Sequence, residues 1–324
     1  MIISKSPLRI SFSGGSTDYP AWYKENCGAV IGTSINHYCW LIVRKLPQFF
    51  DYKYRIVWSD IELVNSCDEI KHPSVRACLS EFKNLKGVEI HHAGDLPARS
   101  GLGSSSAFTV GLLNALYTIS GVHLTKQQLA WKAICIEQDI IKENVGSQDQ
   151  IFAAYGGLNY IVFSKEGFEV RSVNISYSRT ILLNSSLMLF FTGFARTASE
   201  VAAIQIKEIP NKTLELKNMC VITDRFKYIL EHTEVPLNEF GELLDEEWKI
   251  KRTLSPIISN PEIDEIYEIA RRNGAVGGKI LGAGSGGFML LYVPEKYQNH
   301  IREKLDNYLY VPFQFEDKGS TIVG

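Results

Sequence analysis

A chain of 324 residues can bury one large core or two ordinary ones, and two is the expectation from length. With 45% apolar and 22% charged residues it reads as a soluble globular protein, and a formal charge of −2 gives no field to draw nucleic acid or an anionic membrane. No apolar run approaches the roughly 18 residues of a membrane span, and Met1 to Pro7 lacks a signal-peptide core, so a cytoplasmic protein with no membrane or nucleic-acid partner is expected. Six cysteines without a Cys-x-x-Cys pair read as reduced, mostly buried thiols.

Ile2 to Ser4 and Leu8 to Phe12 read as a strand, followed by the polar loop Ser13-Gly14-Gly15-Ser16-Thr17-Asp18. Alternation turns Arg9 away from the Leu8, Ile10 and Phe12 side. An edge charge in water is the ordinary reading of such an Arg, but the loop beyond it carries donors and acceptors suited to sugar hydroxyls or phosphate. Ala29 to Ile35 and Tyr38 to Val43 read as a strand pair, and Tyr54 to Trp58 as another strand. Ser74 to Leu85 reads as a short amphipathic helix and Gly87 to Ala93 as a return to the sheet.

Next comes Asp95-Leu96-Pro97-Ala98-Arg99-Ser100-Gly101-Leu102-Gly103-Ser104-Ser105-Ser106-Ala107, running into a helical pattern at Phe108, Leu112, Leu113 and Leu116. Gly101 and Gly103 permit close approach to the backbone, and three hydroxyls fall at a helix N-terminus whose N–H groups and dipole favour phosphate. A serine-rich N-cap is the plainer reading; Pro, Arg and two glycines packed against the same helix start favour phosphate.

Thr125-Lys126-Gln127-Gln128 is a capping box opening a helix expected to reach about Asn144. Glu137 lies there among Ala133, Ile134, Ile140 and Ile141, an apolar face on which its charge needs compensation or a path to water. Asp149 follows at an irregular junction, a place for a catalytic group or a turn. Lys165 to Gly167 and Asn174 to Arg179 read as polar turns, and the domain boundary is expected there, dividing 1–175 from 176–324. Leu187 to Thr192 is a strand; Arg196 with Thr197 and Ser199 at a helix start is a modest second anion signal. Helices are expected over 214–231, 237–251 and 261–272, then a last helix over 296–309 and a strand over 311–315. Gly282-Ala283-Gly284-Ser285-Gly286-Gly287 matches the dinucleotide fingerprint, but Phe288 to Val293 after it reads as a strand where that site needs a helix. No Walker A motif occurs.

Three segments, Ser6-Pro7-Leu8-Arg9-Ile10 with Gly14 to Asp18, then Pro97 to Ala107, then Lys279 to Gly287, together resemble the three motifs of the GHMP kinases, the superfamily of galactokinase, homoserine kinase and mevalonate kinase. The Pro-Leu-Arg-Ile-Ser-Phe-x-Gly-Gly-x-Thr-Asp form, with Gln148-Asp149-Gln150 and Thr192 to Arg196, is similar to the D-glycero-D-manno-heptose 7-phosphate kinases; the fucokinases share much of it. The resemblance implies an α+β, two-domain GHMP kinase fold: a ribosomal-protein S5 domain 2-like N-terminal domain and a ferredoxin-like C-terminal domain. It implies an enzyme that phosphorylates the anomeric hydroxyl of a heptose 7-phosphate, giving the 1,7-bisphosphate, with ATP and Mg²⁺. Pro97, Arg99, Ser100, Gly101, Leu102, Gly103, Ser104, Ser105 and Ser106 would then wrap the ATP phosphates, and Ser105 and Glu137 would ligate Mg²⁺. Asp149 would be the catalytic acid-base group, with Arg9 beside it. Gly14, Gly15, Ser16, Thr17 and Asp18 would meet the sugar, Gly284 and Gly286 would complete the cleft, and Arg196 and Lys279 would hold the substrate phosphate. The implied partners are small molecules, a phosphorylated sugar and ATP, with a homodimer the candidate assembly. The near alternative is another sugar such as fucose; the rival of a different class is a non-catalytic sugar- and ATP-binding sensor, which need not keep Asp149, Arg9 and Glu137 together.

Overall fold

The computed structural model describes residues 1–82, 84–85, 87–98, 100–193 and 198–323. The first sheet contains β1 (Ile2–Ser13), β2 (Gly28–Lys45), β3 (Tyr54–Val57), β4 (Ile61–Val64), β5 (Val88–Gly94), β6 (Leu158–Ser164) and β7 (Gly167–Ser172). At 18 residues, β2 is long enough to pair β1 along one edge while its other edge meets β6 through residues 28–33 and β5 through 39–45. Only the β3–β5 pairing of this sheet is parallel among the described residues. The second sheet is antiparallel, with β8 (Leu187–Phe191), β9 (Gly277–Ile280), β10 (Phe288–Tyr292) and β11 (Leu309–Tyr310) in the order β11-β8-β10-β9. The last strand, β12 (Thr321–Val323), returns to the first sheet beside β1.

Of the first helices, α1 (Pro20–Tyr23) stacks Tyr23 on Phe163 of β6, α3 (Ser104–Ile119) and α5 (Gln148–Tyr155) pack on β1 and β2, α2 (Pro73–Ser80) packs on α3, and α4 (Lys126–Cys135) packs on α3 and α5. Then come α6 (Tyr177–Ser186), α7 (Ala198–Glu208), α8 (Thr213–Glu231), α9 (Asn238–Leu254), α10 (Pro261–Arg272) and α11 (Glu295–Lys304). Helices grouped around two mainly antiparallel sheets make an α+β fold. One apolar cluster runs from Ile10 and Phe12 of β1 through Leu112 and Phe152 to Phe226 and Phe240, with the Phe12 and Phe240 rings edge-to-face at 5.1 Å. The same cluster takes in Leu189 and Leu290 of the second sheet, so the two sheets are joined by side chains. No helix of the described residues is long and apolar enough to cross a membrane.

Several elements differ from the sequence reading. The expected pair over 29–43 is one strand, because Asn36 bonds sideways to Gln314 (2.9 and 2.7 Å) instead of turning the chain. That docking also takes the place of the strand expected over 311–315, and the last helix ends at Lys304. The polar cluster at 174–179 is no turn: Ser176 accepts from the Arg179 N–H and caps α6, while Arg179 is buried and donates to the carbonyls of Ile229 and Val235. All six cysteines are free, but only Cys39 and Cys78 are buried and Cys27 is exposed, so the mostly buried expectation fails.

Candidate active site

The glycine loop 100–103 enters α3 as its sequence suggested, though not through a serine cap. The N-cap is Gly103 itself, at φ +75°, and no side chain caps the helix. Ser104, Ser105 and Ser106 in the first turn line a cavity of about 200 Å³ at the positive end of the helix dipole. Gly101, at φ +84°, has the Leu281 carbonyl only 2.5 Å from where a Cβ would stand, and a Cβ on Gly282 would lie 2.5 Å from the Gly101 Cα. The two glycine loops therefore touch backbone to backbone, and the 282–287 segment braces the first loop between strands β9 and β10. A strand after it excludes the dinucleotide reading. Ser100 turns its hydroxyl back to the Pro97 carbonyl (2.7 Å) and Leu102 is in the core, so those three positions shape the loop without lining the cavity.

Arg9 reaches this loop from β1. Its backbone N–H donates to the Leu102 carbonyl (3.0 Å) and a guanidinium N–H to the Gly101 carbonyl (2.5 Å). The same guanidinium donates through Nε (2.8 Å) to Asp149 Oδ1, with a terminal nitrogen 2.7 Å from that oxygen. Arg9 is 4% exposed, not an edge charge in water. Asp149 sits in the first turn of α5 rather than at an irregular junction, and a Cβ on Gly103 would stand 3.3 Å from its Oδ2. Loop, cation and carboxylate meet at one point.

Glu137 is 1% exposed, but the helix around it is not the continuous one expected. α4 ends at Cys135, and Ile136–Ile140 form a π-turn, whose extra residue rotates the face: Ile140 becomes half exposed and Glu137 turns inward. Its Oε2 accepts from Ser106 Oγ (2.8 Å) and Gln150 Nε2 (2.5 Å), the Thr109 hydroxyl is near enough to favour the charged form, and Oε1 is buried without a well-formed hydrogen bond among the described residues. Ser106, not Ser105, is thus the serine at Glu137; Ser105 is exposed on the cavity wall. Burial pushes the Glu137 carboxyl up to about 7, against the opposing pull of its hydrogen bonds. A carboxyl whose folded value exceeds its ordinary 4.5 makes the folded state bind protons more tightly, so its contribution to stability falls as pH rises from 4.5 through 7. In metal-free protein, Glu137→Gln should therefore gain on the parent between pH 5 and pH 8, by on the order of 3 kcal/mol at most. Thermal unfolding with EDTA at the two pH values reads this, and parallel curves would contradict it.

The 14–18 loop divides. Gly15, Ser16 and Asp18 line the cavity. Thr17 does not: its hydroxyl is spent on the carbonyls of Gly14 (2.7 Å) and Ala29 (2.9 Å) and on the Ala29 N–H, with no surface exposed. Gly14 is likewise turned inward, its N–H on Glu247 (3.2 Å). Burial and nearby Asp149 push the Asp18 carboxyl up to about 6. Gly284 packs on Ile258 and, with Gly286, does not line the cavity; Gly282 and Ala283 do. Lys279 is at the wall but is no free cation, because its ammonium is paired to buried Glu247 (3.2 Å) and bonded to the Phe12 carbonyl (2.9 Å). Arg99 and Arg196 lie outside the described residues. Sequence reasoning missed Glu247 and Lys251 of α9, although the spacing 240, 244, 247, 251, 254 puts both charges in the apolar stripe of an amphipathic helix.

Comparison with known proteins places the whole chain beside characterised families. The family described as GHMP kinases N terminal domain matches residues 70–157 and GHMP kinases C terminal matches 235–311, together about half of the chain. The chain is 29% identical to the D-glycero-alpha-D-manno-heptose 7-phosphate kinase of Campylobacter jejuni subsp. jejuni serotype O:2, covering 98% of this chain and 97% of that protein. It is 25% identical to the bifunctional fucokinase/GDP-fucose pyrophosphorylase of Arabidopsis thaliana over 93% of this chain, spanning 31% of that longer protein. Among solved structures, a D-glycero-D-manno-heptose 1-phosphate kinase from Bacteroides thetaiotaomicron superposes at a TM-score of 0.81 and 21% identity, over 100% of this chain and 99% of that one. The galactokinase of Lactococcus lactis complexed with galactose gives 0.76 at 18% identity, over 99% and 94%. At those identities the structural likeness is one of fold. Both family signatures, in order on one continuous fold, make the chain a member of the GHMP kinases and an enzyme of that family.

Proposed function

We propose that this enzyme transfers the γ-phosphoryl group of ATP to the anomeric hydroxyl of D-glycero-D-manno-heptose 7-phosphate, giving the 1,7-bisphosphate and ADP. The observation that carries the reaction type is the Arg9–Asp149 pair at 2.7–2.8 Å directly beneath Gly101 and Gly103. Asp149 accepts the proton of the attacking hydroxyl as its oxygen bonds to phosphorus and the bond to the ADP oxygen breaks. Arg9 orients Asp149 and faces the negative charge that develops at the transfer point. The α3 N-terminus and the glycine loop hold the nucleotide phosphates, and Gly15, Ser16 and Asp18 hold sugar hydroxyls. The buried Oε1 of Glu137, without a well-formed hydrogen bond among the described residues, suits a hard cation, so Glu137 with a serine of 104–106 would hold Mg²⁺. Bound there, the ion would neutralise phosphate charge.

The heptose 7-phosphate acceptor is supported by the similarity to the Campylobacter enzyme along nearly the whole of both chains. We also assign residues 1–175 and 176–324 to the two domains, with β12 crossing back, and place the enzyme in the cytoplasm, where ATP is available. ADP release with ATP-Mg²⁺ against heptose 7-phosphate, free heptose, mannose, fucose and galactose tests the acceptor. Heptose 7-phosphate should lead by roughly a hundredfold or more in kcat/KM. A lead for fucose would move the acceptor to the fucokinase side, and no turnover with any of the five would place the acceptor outside this set.

A further inference from the structure

We propose that Lys251 is the unpaired cation of the cleft and binds a phosphate group of a substrate there. This deepens the kinase reading above and rests on it. α9 sets Phe240, Leu244, Glu247, Lys251 and Leu254 on its buried face. Glu247 is fully engaged: Oε1 accepts from the Gly14 N–H and Lys279 Nζ, both at 3.2 Å, and Oε2 from Ser13 Oγ at 3.1 Å. One turn further on, Lys251 is 3% exposed and lines the cavity, yet no carboxylate lies within ion-pair distance among the described residues. Its ammonium donates instead to the carbonyls of Gly282 (2.5 Å) and Ile280 (3.4 Å). Two carbonyls fix the position of the charge without neutralising it, and a third N–H remains.

A buried cation without a counter-ion is expensive to keep, and a compact ammonium suits a phosphate oxygen. The carbonyl that holds Lys251 belongs to Gly282, which abuts Gly101, whose own carbonyl binds Arg9. The two cations are therefore tied to the two touching glycines. Burial, with Lys279 and Arg9 close by, pushes the Lys251 ammonium down to about 7, while Glu247 and Asp18 pull the other way. An anion bound beside it would favour the charged form. The phosphate could come from the acceptor's own ester or from the γ-position of the nucleotide; the chemistry is the same.

Calorimetric titration of wild type and Lys251→Met with two probe pairs, heptose 7-phosphate against free heptose and Mg-AMP-PNP against Mg-ADP, tests this. In at least one pair the variant should lose tenfold or more in affinity for the member carrying the extra phosphate, with the other member held within about twofold; the pair that splits identifies the source. Equal losses within both pairs, as a merely structural bridge to the glycine loop would give, or no loss, overturn the proposal. If wild type fails to bind heptose 7-phosphate, the acceptor assignment falls and Lys251 is judged on the nucleotide pair alone. Should Lys251→Met not fold, Lys251→Gln, which can still donate to the Gly282 and Ile280 carbonyls, is titrated with the same two probe pairs and read by the same criteria.

Discussion

Asp149→Asn is expected to lower kcat by roughly a thousandfold, within the range for removing a positioned general base, while the affinity for Mg-ADP stays within about threefold. The substitution is nearly isosteric. An Asn carbonyl can still accept from Arg9 Nε, so the contacts of Arg9 to Asp149 and Gly101 survive in shape. What is lost is the place for the proton of the attacking hydroxyl. Steady-state turnover, measured beside fluorescent-nucleotide binding, separates the two effects. A kcat within tenfold of the parent would remove Asp149 from the base role and leave it a partner for Arg9.

Lys279→Met is expected to act on stability first. The substitution keeps the volume of the side chain but removes the ammonium from Glu247, which has no exposed surface and would be left with two weaker donors, Gly14 N–H and Ser13 Oγ. Breaking a buried pair from one side typically costs about 3–5 kcal/mol, because the surviving charge is stranded. Denaturant unfolding of the parent, Lys279→Met, Glu247→Gln and the double variant reads the coupling; the double variant should recover much of the loss. Unchanged stability together with a raised KM for the sugar phosphate alone would return Lys279 to the substrate-holding role that the motif suggested.

The parts of the fold legible in the sequence are those written in local chemistry. The capping box at Thr125 forms with both reciprocal bonds, and the loop from Gly101 to Ser106 feeds a helix at its second glycine. The strand after Gly287 was readable from Phe288 to Val293 and correctly excluded a dinucleotide site. What stayed hidden depends on distant partners. Arg9 reads as an edge charge until β1 is laid beside α5, and residues 29–43 read as two strands until Gln314 arrives from the far end of the chain to pair with Asn36. The place of Glu137 on a buried face was legible, but not the π-turn that ends α4 before it, nor that the Ser106 hydroxyl is the one that donates to it. Thr17 looked like a sugar contact because it sits in a polar loop; its hydroxyl instead ties that loop to β2 through Ala29. Glu247 and Lys251 show the opposite failure. Four residues apart on a helix they resemble a surface ion pair, and only their fall within the apolar stripe marks them as buried groups with separate partners.

The position of the transferred phosphate tests the central claim most directly. With ATP-Mg²⁺ and D-glycero-D-manno-heptose 7-phosphate as the only acceptor, phosphorus NMR of the product should show a second phosphate coupled to the anomeric proton, appearing in step with ADP. A phosphate coupled to any other carbon, or ADP formed without a sugar bisphosphate, would contradict it.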